Sequence, residues 1–192
     1  LPIYTKFFSV EEFGRLGLLL AVITIMIQVV ILGQGQSLLR FVNQAENEDK
    51  RKSVLFSLSI LILVISIIFV LIGEVTAPYL ANIFGDFQSY YSSLRISVYI
   101  VAVSVLNNIF QNKLRADEKS VFYTSLNLIK LVIMLIVTIY LIVNLKLGID
   151  GVLFGQLISE IFVLIIILPP MIKQMEFKYS TAIVSSSLKF GI

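Results

Sequence analysis

Two charged residues stand inside apolar runs of the sequence. Lys130 lies in SLNLIKLVIMLIV (residues 125–137), and Glu160 lies in GQLISEIFVLIII (residues 155–167). A lysine in such surroundings can pair with a carboxylate, or the two groups can help to line a water-filled cavity. Which chemistry applies depends on the helices that carry the two residues and on their depth in those helices.

The composition indicates that lipid, rather than water, is the solvent. Of the 192 residues, 58% are apolar and 14% are charged, whereas about a quarter of a soluble domain is charged. Cys and His are absent, which excludes disulfides, Cys/His metal sites, thiol nucleophiles and histidine acid–base chemistry. The net charge of +3 is dispersed, so we predict no nucleic-acid partner. The sequence has no HExxH, Walker or GxSxG motif, and we predict neither an enzyme nor a cofactor.

Five apolar runs are long enough to cross about 30 Å of hydrocarbon as helices. They cover residues 16–36, 54–77, 91–112, 121–143 and 152–171. The predicted fold is therefore an all-α, polytopic transmembrane helix bundle, with one membrane domain over residues 1–192. We expect partial spans at both ends and interpret the chain as a piece of a longer membrane protein. Ser9, followed by Glu11 and Glu12, is predicted to cap the start of the first helix.

The basic residues are concentrated in the loops after the first, third and fifth runs. These residues are Arg40, Lys50, Arg51 and Lys52, then Lys113, Arg115 and Lys119, and finally Lys173, Lys178 and Lys189. If the spans alternate in direction, all three loops lie on one side of the membrane. Short loops rich in Lys and Arg stay in the cytoplasm. We predict a multi-pass protein of the cell (inner or plasma) membrane whose basic loops are cytoplasmic.

Depth sets Lys130 and Glu160 apart from the other polar residues. Lys130 is about ten residues in from the cytoplasmic end of its span, and Glu160 is about nine residues in from the outer end of the next. The two helices are antiparallel, so both side chains fall near mid-membrane, where a charge costs about 2.5–3.5 kcal/mol. We expect either an ion pair that only fixes helix packing or a polar, partly cationic cavity wall.

Other polar residues are candidates for the same cavity. Asn127 shares a helix face with Lys130, and Gln156 lies one turn before Glu160. Arg95 lies near the outer end of its span, and Arg40 follows the first span. In the third span a polar stripe is predicted, formed by Ser97, Ser104, Asn108, Gln111 and Arg115. In lipid, such residues mark the faces that pack together or line water.

Several segments in succession resemble polysaccharide flippases. LPIYTKFFSVEEFGRLGLLLAVI is similar to the stretch that joins their first two helices, through Leu1, Pro2, Glu11, Glu12 and Gly14. GQGQSLLRF resembles the family's glycine-rich exit followed by a basic–aromatic pair. NKLRADEKSVFYTSLNL resembles one of its loops and the helix start that follows, LGIDGVLFGQLISE the start of its sixth helix, and SSLKFGI the start of its seventh. The resemblance covers nearly the whole chain and is to the oligosaccharide flippase branch of the multidrug/oligosaccharidyl-lipid/polysaccharide exporter superfamily.

The resemblance implies a transporter of two six-helix lobes around a cavity that opens alternately to each side. This chain would be most of the N-terminal lobe, and its partner would be the remaining C-terminal lobe. The implied substrate is an isoprenoid diphosphate-linked oligosaccharide, moved to the outer leaflet, with Na⁺ or H⁺ as a coupling ion. Lys130 suits the diphosphate best, followed by Arg95 and then by Arg40 at the cytoplasmic opening. Asn and Gln side chains suit sugar hydroxyls, and Glu160 suits Lys130 or ion coupling.

Three alternatives stay open. A multidrug cation exporter of the same superfamily would carry an excess of intramembrane acids, whereas this chain balances one Lys with one Glu. A membrane polysaccharide polymerase or ligase would need a large outer loop with catalytic Arg or His, but the outer loops are short and His is absent. A purely structural bundle would direct Lys130 and Glu160 at each other and wall them off from water.

Overall fold

The structure, a computed structural model, describes residues 7–83, 87–176 and 178–191. These residues form helices that are joined by short connections. In chain order the helices are α1 (Val10–Ile31), α2 (Gln34–Gln44), α3 (Glu48–Ile83), α4 (Phe87–Ala116), α5 (Ser120–Val143), α6 (Gly148–Ile172) and α7 (Thr181–Gly191). The predicted all-α bundle is confirmed.

Five segments of the described chain are long and apolar enough to cross a membrane. They are Val10–Gln44, Glu48–Ile83, Tyr90–Ala116, Ser120–Val143 and Gly148–Ile172. Each contains one of the five predicted runs, so the number and order of the predicted spans are confirmed. Most of the helices extend beyond the apolar runs because helical hydrogen bonding does not stop at the hydrocarbon boundary. The partial span expected before α1 lies largely outside the described residues, and the one expected over 184–192 coincides with most of α7.

The start of α1 is capped as its sequence predicts. The Ser9 hydroxyl accepts a hydrogen bond from the Glu12 backbone N–H at 3.2 Å, and the Glu12 carboxylate accepts one from the Ser9 N–H at 2.8 Å. This reciprocal capping box satisfies two backbone donors that the first helical turn leaves unpaired. The negative charges of Glu11 and Glu12 also stabilise α1 by interacting with the positive end of its helix dipole.

The first predicted span is not one continuous helix. Leu32 and Gly33 both adopt left-handed backbone angles, with φ of 47° and 67°, and these residues separate α1 from α2. Gln34, which is fully buried, donates to the Leu32 carbonyl at 3.3 Å and accepts a hydrogen bond from Ser187 of α7. The break therefore brings a polar side chain into contact with the last helix, and backbone groups freed by the break find partners inside the protein.

Helix α4 lies at the centre of the bundle and contacts α1, α2, α3, α5 and α6. Helices α5 and α6 form a tightly packed antiparallel pair. Their close approach depends on Gly155, because a Cβ atom at this position would lie 2.1 Å from the Thr138 Oγ1 and 3.1 Å from the Thr138 backbone N. The outer surface of α5 is apolar and exposed, as lipid requires, with Leu128, Leu131 and Ile136 each more than half exposed.

The three basic loops lie at one end of the bundle. Ser53, near the start of α3, donates to the carbonyl of Lys178 at 2.8 Å, and Ser57 accepts from the Ser180 N–H at 3.0 Å. The start of α3 and the end of α4 also line one common cavity, together with Gln174 beyond α6. The predicted grouping of these loops is confirmed, whereas the side of the membrane that they face stays a prediction.

The contact at Gly155 gives a first testable prediction. Gly155→Ala should force α5 and α6 apart and destabilise the protein by about 1–3 kcal/mol, the usual cost of overpacking a filled core. Gly17→Ala is the matched control, because no atom lies within 4 Å of a Cβ at that position. The measurement is the Tm of each full-length variant in detergent. Equal Tm values for the two variants would contradict the packing described here.

Candidate functional site

An ion pair between α5 and α6 lies at the centre of both helices. The Lys130 ammonium donates a hydrogen bond to Glu160 Oε1. Lys130 comes ten residues after the start of α5 at Ser120, and Glu160 is twelve residues from each end of α6. The two residues meet as their matching depth in the sequence predicts, and each compensates the charge of the other where lipid cannot.

The carboxylate of Glu160 is also bound by two side chains of α4. Ser104 Oγ donates to Oε1 at 2.7 Å, and Asn107 Nδ2 donates to Oε2 at 2.7 Å and to the Glu160 carbonyl at 2.9 Å. Ser104 and Asn107 are three residues apart, so they lie on the same face of α4. Protein donors thus take the place of water around this buried anion.

The two members of the pair differ in their exposure. The Glu160 side chain is 4% exposed, whereas the Lys130 side chain is 28% exposed. The Lys130 ammonium has three N–H donors. Among the described residues, its hydrogen-bond partner is Glu160. The pair is therefore more accessible from the side of Lys130, and the carboxylate is the buried member.

Two buried oxygen atoms near Glu160 lack a hydrogen-bond partner among the described residues. They are Asn107 Oδ1 and, on α6 one turn before Glu160, Gln156 Oε1. Such acceptors need hydroxyl or N–H donors, which a buried water molecule can supply. The surroundings of the pair therefore combine a cation with unsatisfied neutral acceptors.

Arg95, another predicted site residue, belongs to a different ion pair. Its Nε donates to both Glu74 oxygens, at 2.9 and 3.1 Å, and its guanidinium lies 5.5 Å from the centre of the Tyr91 ring. This pair joins α3 to α4 and is partly exposed, with 42% of the Arg95 side chain accessible. The structure does not bring Arg95 into the hydrogen-bond network of Lys130.

The remaining predicted site residues also lie outside that network. Asn127 donates to the Tyr123 carbonyl one turn earlier on α5, at 2.9 Å. Gln156 makes no side-chain bond to Lys130 or Glu160, although it lies on the same side of α6 as Glu160. Arg40 is exposed on α2, towards the basic end of the bundle.

Asn107 is a residue of this network that the sequence did not single out. The predicted stripe on α4 contained its neighbour Asn108, but the Asn108 oxygen accepts a hydrogen bond from Asn112 at 2.6 Å instead. Adjacent asparagines point about 100° apart on a helix, and only the position of α6 decides which of them meets Glu160. The spacing of three residues between Ser104 and Asn107 was the sequence signal that could have identified Asn107.

The fold and this site define a class of protein: a multi-pass helical membrane protein with a compensated charge at mid-membrane. The family model for polysaccharide biosynthesis proteins matches residues 1–192, and the chain belongs to this family. The resemblance seen in the sequence motifs is thereby confirmed.

The fold is similar to that of one half of a MATE transporter. A crystal structure of a MATE in complex with Br-NRF matches with a TM-score of 0.79 and 16% sequence identity. The match covers 99% of this chain but 46% of that chain, so this chain spans about half of its length. A search of curated proteins found no match.

The ion pair gives a second prediction, on stability. Lys130→Met should destabilise the protein by about 3–5 kcal/mol, because it leaves the Glu160 carboxylate buried without its countercharge. Adding Glu160→Gln to this variant should recover most of the loss, since no buried charge then remains. Thermal unfolding of the full-length variants in detergent measures both effects. A Lys130→Met protein as stable as the parent would mean that the carboxylate does not need this partner.

Proposed function

We propose that the complete protein moves an isoprenoid diphosphate-linked oligosaccharide from the cytoplasmic to the outer leaflet of the cell membrane. The glycan would serve the synthesis of a cell-surface polysaccharide such as O-antigen, capsule or exopolysaccharide. Family membership and the likeness to half of a MATE fold support transport by alternating access between two lobes. This chain would supply most of the N-terminal lobe.

The observation that carries the proposal is the partly exposed side chain of Lys130 in the middle of its span. A diphosphate headgroup cannot enter hydrocarbon unaided, because its charge would lose its water and counterions. A fixed cation with free N–H donors replaces part of that hydration, and hydrogen bonds between ions are roughly twice as strong as neutral ones. Lys130 is the described cation that is deepest in a span and accessible, so we assign it to the phosphate.

Glu160 then acts through Lys130. With the site empty, the carboxylate holds the ammonium in place. When a phosphate competes for Lys130, the carboxylate needs another positive partner, since Ser104 and Asn107 supply only neutral donors. This exchange makes Glu160 the candidate for coupling to Na⁺ or H⁺.

We assign the other candidates to the same path. We assign the amide groups of Gln156 and Asn127 to sugar hydroxyls; the Gln156 oxygen, which is buried in this arrangement, would have to be uncovered first. We assign Arg95, at the end of the bundle opposite the basic loops, to the headgroup near the outer leaflet. We assign Arg40, at the basic end, to the headgroup as it enters from the cytoplasm.

Export of cationic drugs fits this site less well. Binding a cation within the membrane requires an accessible carboxylate without a countercharge. In the described spans, Glu74 is engaged by Arg95, Asp150 by Ser93, and Glu160 by Lys130, Ser104 and Asn107. Glu11 and Glu12 lie in the first turn of α1, at the end of its span rather than within it. The cation that is left partly accessible favours an anionic ligand.

A third prediction separates the transport role of the pair from its structural role. In cells whose only copy is the full-length variant, Lys130→Met with Glu160→Gln should reach normal membrane abundance and yet lose most surface polysaccharide. Lys130→Arg, which keeps the charge, should retain part of the export. Lys146→Met is the control and should export normally, because Lys146 is exposed and lies at the end of the bundle opposite the basic loops. Normal export by the neutral double variant would show that the pair only fixes helix packing.

Exchanging the two charges is a less clean test. A lysine at position 160 would face Ser104 Oγ and Asn107 Nδ2, both of which now donate to the carboxylate. Asn107 Nδ2 has no lone pair to offer an ammonium. Failure of the exchanged variant would therefore not distinguish a ligand site from a disrupted network, whereas glutamine keeps an acceptor oxygen at this position.

A further inference from the structure

A cluster of cations lines a separate cavity at the basic end of the bundle. The cavity has a volume of about 270 Å³ and lies between the start of α3, the end of α4 and the turn into α5. Its wall carries the cations Arg51, Lys52, Lys113 and Lys119 and the carboxylates of Glu48 and Asp117. The cavity therefore holds an excess of two positive charges.

Asp117 organises the inner side of this cavity. Its two oxygens face different lysines: Oδ1 accepts a hydrogen bond from Lys113, and Oδ2 lies 3.9 Å from the Lys119 ammonium. The Lys113 side chain is only 8% exposed, so its ammonium is held in place rather than moving freely in water. One carboxylate shared by two lysines leaves the pair with a net positive charge.

On the outer side of the cavity, the positive charges are balanced even less by acidic side chains. The Lys52 ammonium lies 4.0 Å from Glu48, at the limit of an ion pair, and 40% of its side chain is exposed. The Arg51 guanidinium has no hydrogen-bond or ionic partner in the portion of the chain that the structure describes. Arg51 can thus offer a complete fork of N–H donors, the geometry that suits a phosphate.

We propose that this cavity binds the phosphate headgroup of an anionic phospholipid in the leaflet at the basic end. The cavity lies where membrane-spanning helices leave the hydrocarbon: the apolar run of α3 begins at Val54, two residues after Lys52. Clusters of Lys and Arg at this level attract anionic lipids. A water molecule takes about 30 Å³ in the liquid, so the volume accommodates a phosphate with water around it.

This lipid site is distinct from Lys130. Ten residues of α5 separate Ser120, next to Lys119, from Lys130. At 1.5 Å per residue the separation along the helix is about 15 Å, and the two ammonium groups have different acidic neighbours, Glu160 for Lys130 and Asp117 for Lys119. The lipid site can therefore be tested separately from the proposed transport function.

The test is lipid retention by the purified full-length protein in native mass spectrometry. Phosphatidylglycerol is compared with phosphatidylcholine for the parent, for Arg51→Gln/Lys119→Gln and for the control Lys50→Gln/Lys178→Gln. Both double variants remove two exposed cations from the same end, but the control residues lie outside the cavity. We expect about tenfold weaker phosphatidylglycerol binding for the first variant and no change for the control. Lys52→Gln, a single exposed change, should give a smaller loss in the same direction.

Several outcomes would overturn the proposal. Equal losses in the two double variants would mean that diffuse surface charge, and no defined site, attracts the lipid. Displacement of phosphatidylglycerol by inorganic phosphate at constant ionic strength would assign the cavity to free phosphate. Displacement by an isoprenoid diphosphate, in the parent but not in Arg51→Gln/Lys119→Gln, would assign it to the substrate path instead.

Discussion

The structure depends on the need to solvate one carboxylate in the middle of a membrane. Glu160 cannot be hydrated by lipid, and its side chain is 4% exposed, so every donor must come from the protein. Lys130, Ser104 and Asn107 meet this need. Because they lie on α5 and α4, three helices must come within hydrogen-bonding distance at one depth. The arrangement of the bundle centre follows from that requirement.

The packing around the pair is consistent with this constraint. Gly155 lies five residues before Glu160 and lets the backbone of α6 approach Thr138 of α5, which a side chain would prevent. Between α4 and α6, Ser93 donates to Asp150 towards one end and Ser104 to Glu160 near the middle, so these helices run parallel with polar contacts at two levels. Small residues permit close approach of the helices, and polar contacts fix their register. This is expected in lipid, where apolar side chains gain little by contacting each other instead of lipid tails.

The sequence predicts the parts of this arrangement that depend on counting along one helix. Span number, order and the depth of Lys130 and Glu160 follow from hydropathy and helical rise, and all agree with the structure. The choice of Asn107 over Asn108 could not be predicted, because it depends on where α6 packs. The break at Leu32–Gly33 was also missed: the glycine offered a signal, but a leucine with positive φ is unfavourable unless surrounding contacts hold it there.

Lys130 stabilises a buried anion and is also partly exposed. It therefore couples the binding of a ligand to the packing equilibrium of the helices that the ion pair joins. An anion that binds the remaining N–H donors of Lys130 shares its charge with Glu160. It therefore weakens the contact that joins α5 to α6, and the Glu160 carboxylate then depends more on Ser104 and Asn107 of α4. A ligand can shift a conformational equilibrium only by its differential affinity for the two states. Under the proposed function, the competition for Lys130 supplies that difference: the helix arrangement with an intact pair disfavours the phosphate, and one with a separated pair favours it. Substrate binding and rearrangement of the lobe would then be one event, driven by the same ammonium.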